Sequence, residues 1–312
     1  MPADVSISPA SAQTKRAWGQ TLLITLVAAG AFALLRWLPL SVDPLHYTDF
    51  HADGKSFLEF CEPGSPQFVP VDKVRSPVEM TVSTETRPQP GQPVRGVVRL
   101  ATAGGKPVAA ESLLVVHTEK LHLLVVDESL DEYHHLHPQP TGEPGAFAFA
   151  FTPKHAGVYR LFGDFTPRAT GRALYAGAQL AVGDAPAEPA GVERRLWRRT
   201  VVDGYVFELR GETSPLRINE PAELTLRVSR EDGAPVVLEE IMGAKAHMVG
   251  FDESRSGFAH LHPAEVAEAG AEGAQELAFT LLLTDPGYYR LWAQVMIDGR
   301  ERYAPFGIAV DP

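Results

Sequence analysis

One internal repeat limits what this chain can fold into more than any other feature. HTEKLHLLVVDESLDEYHHLHP, beginning at His117, aligns without gaps with MGAKAHMVGFDESRSGFAHLHP, beginning at Met242, at an offset of 125 residues. Further along, GVYRLF (157–162) matches GYYRLW (287–292) at an offset of 130, so the second copy carries a loop five residues longer. A repeat on this scale means one supersecondary unit built twice. Short runs such as VRGVVRL, LHLLVVD, GAFAFAFT and GVYRLFGDF are rich in β-branched and aromatic residues and bounded by Gly, Pro and Asp. They read as strands. Gly 27 and Pro 26 in 312 residues suit many short strands joined by turns. The expected fold is all-β: two tandem immunoglobulin-like β-sandwiches, residues 78–182 and 201–312, with a linker at 183–200. PAEVAEAGAEGAQE (263–276) is a helix-like insert in the second copy.

The N-terminal end follows a different rule. Residues 1–16 are polar and end in Lys15-Arg16; residues 17–40 read AWGQTLLITLVAAGAFALLRWLPL, free of charge from Thr21 to Leu35. About 20 apolar residues cross a bilayer as a helix. Trp18 and Trp37 suit the two interfaces, and Arg36 can snorkel outward. The reading is a cytoplasmic tail (1–16), a single-pass transmembrane anchor in the cell inner membrane (17–40), and a periplasmic remainder. Ala29-Gly30-Ala31 also fits a small-x-small cleavage site, which leaves a signal peptide as the alternative. Residues 41–77, Pro-rich and carrying His46, His51 and Cys61, read as an irregular spacer.

Charge and cysteine content exclude several classes. Lys+Arg 28 against Asp+Glu 39 leaves a formal charge of −11, which disfavours nucleic acid as a partner. A single cysteine excludes an intramolecular disulfide and a Cys-rich zinc site. No GxxxxGK[ST] loop or GxSxG elbow is present.

The histidines carry the chemistry. At the offset of 125, His122 matches His247, His135 matches His260, His137 matches His262, and His117 faces Met242. Each copy therefore holds [His/Met]-x4-His-x12-His-x-His-Pro. Residues i and i+2 on a strand share a face, so His135 and His137 can converge. If the turn after LHLLVVD is centred between Ser129 and Leu130, His122 lies opposite His137 and all three share that face; a one-residue slip would separate them. Three imidazoles with a fourth His or Met suit copper, with zinc as the alternative. A structural corner, with the same rings donating to backbone carbonyls, is the competing reading. His134 and His155 have no counterparts and read as outside the set. Asp164 matches Gln294, so a carboxylate there is not shared; Met248 reads as core.

HTEKLHLLVVDESLDEYHHLHP with GVYRLFGDF, and its second copy with GYYRLWAQV, resembles bacterial extracytoplasmic YtkA-like domains. That resemblance implies small β-sandwich domains, often membrane-anchored and often found beside heavy-metal handling systems. The function expected is non-enzymatic metal binding, with copper as the cargo and a membrane metal-transport or respiratory complex as the partner. A scaffold module is the alternative. A more remote one is a copper redox enzyme, because a His-x-His strand on a β-sandwich is similar to copper–zinc superoxide dismutases. Lys15 and Arg16 make the topology testable. A reporter enzyme active only in the cytoplasm, fused to the C-terminus, should be silent; high activity would reverse the orientation.

Overall fold

The computed structural model describes residues 10–37, 45–50, 67–184, 191–211, 216–264, 268–269 and 273–312. Helix α1 (Ala10–Trp37) contains a 22-residue stretch, Arg16–Trp37, long and apolar enough to cross a membrane. At 1.5 Å per residue it spans about 33 Å, against a hydrocarbon layer of about 30 Å. Its large apolar side chains, among them Leu22, Leu26, Phe32 and Leu34, are exposed. The hydroxyls of Thr21 and Thr25 donate to carbonyls four residues back, at 3.0 and 2.9 Å. Apolar residues fall on every side of this stretch, and the Thr21 and Thr25 hydroxyls are satisfied within the helix itself.

The repeats form two β-sandwiches. The first holds β1 (Val78–Thr84), β2 (Val94–Thr102), β3 (His122–Val126), β4 (Tyr133–Leu136), β5 (Gln139–Pro140), β6 (Ala146–Phe151), β7 (Gly157–Phe165) and β8 (Leu174–Val182). One sheet runs β1-β2-β6-β5 and the other β4-β3-β7-β8. The second holds β9 (Arg199–Val202), β10 (Tyr205–Gly211), β11 (Leu216–Arg217), β12 (Ala222–Arg230), β13 (Ala246–Asp252), β14 (Phe258–Leu261), β15 (Glu268–Ala269), β16 (Gln275–Leu281), β17 (Gly287–Ile297) and β18 (Arg300–Asp311). Its sheets run β15-β16-β12-β10-β9 and β11-β18-β17-β13-β14. Each sandwich has its own core, around Val98, Leu123, Phe147 and Leu161 in the first and Phe207, Leu226, Met248 and Phe306 in the second. The helix expected within 263–276 is not what forms there. Glu268–Ala269 pairs antiparallel with Gln275–Glu276, a short edge ribbon in a segment interrupted by Gly270 and Gly273; the rest of that insert lies outside the described residues.

A third core lies between the sandwiches. Leu124, Val126, Tyr133 and Phe162 of the first copy pack with Val249, Phe251, Phe258 and Trp292 of the second. Phe162 stacks near Phe251, centroids 6.2 Å apart, and Tyr133 lies 5.5 Å from the same ring. The central strands β3 and β13 are therefore buried on both faces, which explains their unbroken apolar runs HLLVV and AHMVGF. Arg290, fully buried, reaches across: Nη1 donates to the Leu130 carbonyl at 3.1 Å and pairs with Asp131, while its guanidinium lies over the Trp197 ring. Arg255 returns the gesture to the Val158 carbonyl at 3.3 Å.

The end of the spacer staples this seam. Val69 and Phe258 exchange backbone hydrogen bonds at 2.8 and 3.1 Å, Phe68 enters the second core, and Val69 and Val71 enter the shared one. Gly257 permits the approach, since a Cβ there would meet the Val69 carbonyl oxygen at 1.8 Å. Leu45 and Phe50 pack into the first core, so the spacer does carry packed apolar residues; His51 and Cys61 lie outside the described residues. Replacing Phe251 with Ala should cost about 3–5 kcal/mol in urea unfolding, the usual range for a buried aromatic. A loss below about 1 kcal/mol would mean the seam is not a packed core.

Candidate metal centre at the seam

Two tight turns set the positions of the histidines. After β3, the Asp127 carboxylate accepts from the amides of Glu132 (2.9 Å) and Ser129 (3.3 Å), and Leu130 takes φ +62. After β13, Asp252 accepts from Ser256 (2.7 Å) and Gly257 (3.3 Å), and Arg255 takes φ +55. These side-chain bonds hold the hairpins in register. Leu123 pairs with Leu136 and Leu124 with His135, which sets His122 opposite His137 as the sequence suggested. The second hairpin has the same register, Met248 with Leu261 and Val249 with His260. His122, His135 and His137 come together, as do His247, His260 and His262; within each group one nitrogen per ring lies within 4.8 Å of the others. Each group could hold a metal ion.

The other ring nitrogens fix the tautomers. His122 Nε2 lies 3.0 Å from the Val116 carbonyl and His247 Nε2 lies 3.0 Å from the Ile241 carbonyl. A carbonyl only accepts, so both rings carry the proton on Nε2 and present the Nδ1 lone pair. His135 Nδ1 lies 2.9 Å from Gln294 Oε1. The Gln294 amide nitrogen already donates to Glu301 (3.0 Å) and to the Tyr303 hydroxyl (2.9 Å), so Oε1 is the acceptor and His135 presents Nε2. His260 Nδ1 donates to Asp164 at 3.3 Å and likewise presents Nε2. Metal-binding histidines are held by this kind of outer partner. Both side-chain partners come from the opposite repeat.

Burial opposes protonation throughout the cluster. It lowers the pKa of His122, His135, His137, His247, His260 and His262, with neighbouring imidazoles adding to the effect in most of them; His247 falls to about 4. Burial raises Asp164 to about 6 against the pull of His122 and His117. The rings therefore stay neutral at pH 7, the state that binds metal.

The remaining sequence candidates fall in different places. His117 and Met242 both occupy two-residue turns at positive φ, +48 and +51. His117 crosses the seam and stacks on His262 with centroids 3.8 Å apart, and lies 6.4 Å from His122 and 6.2 Å from His247. Met248 is core, as expected. His134 bonds Glu132 at 2.6 Å and points away from the cluster; His155 bonds Asp127 at 3.1 Å. In sequence, Asp164 and Gln294 share a repeat position but not a carboxylate. The structure makes them equivalent, each accepting an imidazole N–H from the other repeat. The repeat matches the two positions to each other, and what they share is an acceptor oxygen, not a charge.

In the metal-free protein these histidines make stability depend on pH. Unfolded imidazoles titrate near 6.5, above the folded values, so the unfolded chain takes up protons first. Stability is full above about pH 6.5 and falls as pH drops toward about 4. Urea midpoints should decline between pH 7.5 and pH 5; a flat profile would mean the rings are not buried neutral.

No curated protein matches the chain. Solved structures that resemble it include a DUF4785 family protein from Legionella pneumophila subsp. pneumophila str. Philadelphia 1 (10% identity, 74% of this chain and 56% of that one, TM-score 0.26). Red sea bream transglutaminase (8% identity, 76% and 32%, TM-score 0.24) and Salmonella alpha-2-macroglobulin reacted with methylamine (11% identity, 75% and 16%, TM-score 0.24) are others. The chain spans little more than half of the first and smaller shares of the other two, and TM-scores this low carry nothing further. A family model described as a domain of unknown function, DUF8832, matches residues 73–182 and again 200–312, one match per sandwich, and the chain belongs to that family.

Proposed function

We propose that this is a membrane-anchored, extracytoplasmic metal-binding protein that handles copper, with zinc as the alternative ion. The ligands are His122, His135 and His137 in one repeat and His247, His260 and His262 in the other. One observation carries the reading: His122 Nδ1 and His135 Nε2 face each other at 3.2 Å. Neutral His122 has given its single N–H to Val116, and His135 has given its own to Gln294. Two lone pairs are thus aimed at one point, an arrangement that repels unless a cation sits there. Two nitrogens on a tetrahedral ion at 2.0–2.1 Å lie about 3.3 Å apart. All-imidazole ligation suits copper and zinc.

His117 and Met242, at equivalent turn positions, are the additional donors in this reading, and the thioether would bias the second repeat toward Cu(I). α1 supplies the anchor and Lys15-Arg16 its orientation, which leaves the sandwiches in the periplasm. The resemblance to YtkA-like domains agrees with such a role, and a membrane metal-transport or respiratory complex is the partner that fits it.

Metal analysis of the full chain in detergent tests the proposal. Stoichiometric copper should be retained through dialysis, under oxidising conditions as Cu(II) or with reductant as Cu(I). Replacing His135 and His137 with Ala should abolish binding in the first repeat. If the rings are only hydrogen-bond donors, that change should cost about 1–3 kcal/mol of stability and leave metal binding unaltered. Proton competition should set in below the ordinary imidazole range near 6.5, because the folded rings resist protonation. Absence of tight binding to the wild-type protein under both conditions would favour a scaffold role.

A further inference from the structure

We propose that the two histidine groups form one two-metal centre whose ions share a small bridging anion of the hydroxide or azide class. This rests on the metal-binding reading and adds to it that the sites are not independent. The rings are nearly as close between the groups, 5.2–5.9 Å, as within them, 4.7–5.6 Å. His135 lies 4.9 Å from His137 and 5.3 Å from His122, and it lies 5.2 Å from His260 and 5.9 Å from His247 across the seam. His122 lies 5.7 Å from His260. Six imidazoles make one continuous cluster, with His117 filling its edge against His262.

Neither group is complete alone. His135 depends on Gln294 of the second sandwich to fix its tautomer, and His260 depends on Asp164 of the first. The free nitrogens also agree: His137 Nε2, His247 Nδ1, His260 Nε2 and His262 Nε2 are buried without a hydrogen-bond partner. A cavity of about 50 Å³ lies against both groups, lined by His117, His122, Asp164, His260 and His262 among others. That is room for a ligand of a few atoms beside either ion. Charge supplies the reason for one. Two divalent ions among neutral imidazoles bring four positive charges, against Asp164 bonded into the cluster and Glu119, beside Lys120, at the cavity wall; the positive excess that remains in a buried site is what a bridging anion offsets.

The test loads the full chain with Cu(II) and records its electron paramagnetic resonance spectrum. The expected result is two coppers per chain and the spectrum of a coupled pair, either a half-field transition or loss of the isolated-ion signal through antiferromagnetic coupling, altered by added azide. His137→Ala and His262→Ala, at the less buried ring of each group, should each retain one copper and show an isolated Cu(II) spectrum with no half-field line. Two bound coppers whose spectrum is the sum of two isolated ions would overturn the shared centre while leaving metal binding intact. Saturation of the wild type at one copper would overturn it as well. Failure to bind copper at all would remove both this inference and the function on which it rests.

Discussion

A neutral imidazole has one N–H to give, and the arrangement of this site follows from where four histidines are made to give theirs. Val116 and Ile241 take the protons of His122 and His247 from within the same repeat. Gln294 and Asp164 take those of His135 and His260 from across the seam. Once those protons are committed, the lone pairs point inward at one another. Such a cluster is unfavourable in an empty protein, so the surrounding packing has to hold it in place.

That support comes from the shared core. The sheets carrying the histidines are buried on their sandwich side by Leu123, Val125, Met248 and Leu261, and on the other side by Leu124, Phe162, Val249 and Phe251. Strands buried on both faces leave little freedom of register, and the Asp127 and Asp252 turns remove what is left. Buried Arg290 and the Val69–Phe258 pairing then fix the two sandwiches against each other. The histidines sit at the edge of this core, where a polar cluster interrupts an otherwise apolar contact.

Much of this was legible in the sequence because duplication writes it twice. The offset of 125 identified the matching histidines, the turn position between Ser129 and Leu130 set the register, and the strand runs indicated two sandwiches. What was not legible was that the two copies meet through their histidine faces. A hairpin considered alone predicts which side chains share a face, not what covers that face. The signal was present in LHLLVV and AHMVGF, which are apolar without alternation and so mark strands covered on both sides. The shared role of Asp164 and Gln294 is hidden in the sequence for a related reason: residues that differ in charge still agree in offering an oxygen to an N–H. An edge ribbon at Glu268–Ala269 stands where the sequence suggests a helix, and Gly270 and Gly273 are poor residues for a helical interior.

The central claim is that converged lone pairs at the seam hold metal. Diffraction from crystals of the copper-loaded protein, collected on both sides of the copper absorption edge, tests it directly. The account predicts anomalous peaks at the seam, each about 2.0–2.1 Å from nitrogens of its own histidine group. Copper located only elsewhere, for instance at the exposed His46, with the seam rings unligated, would contradict it.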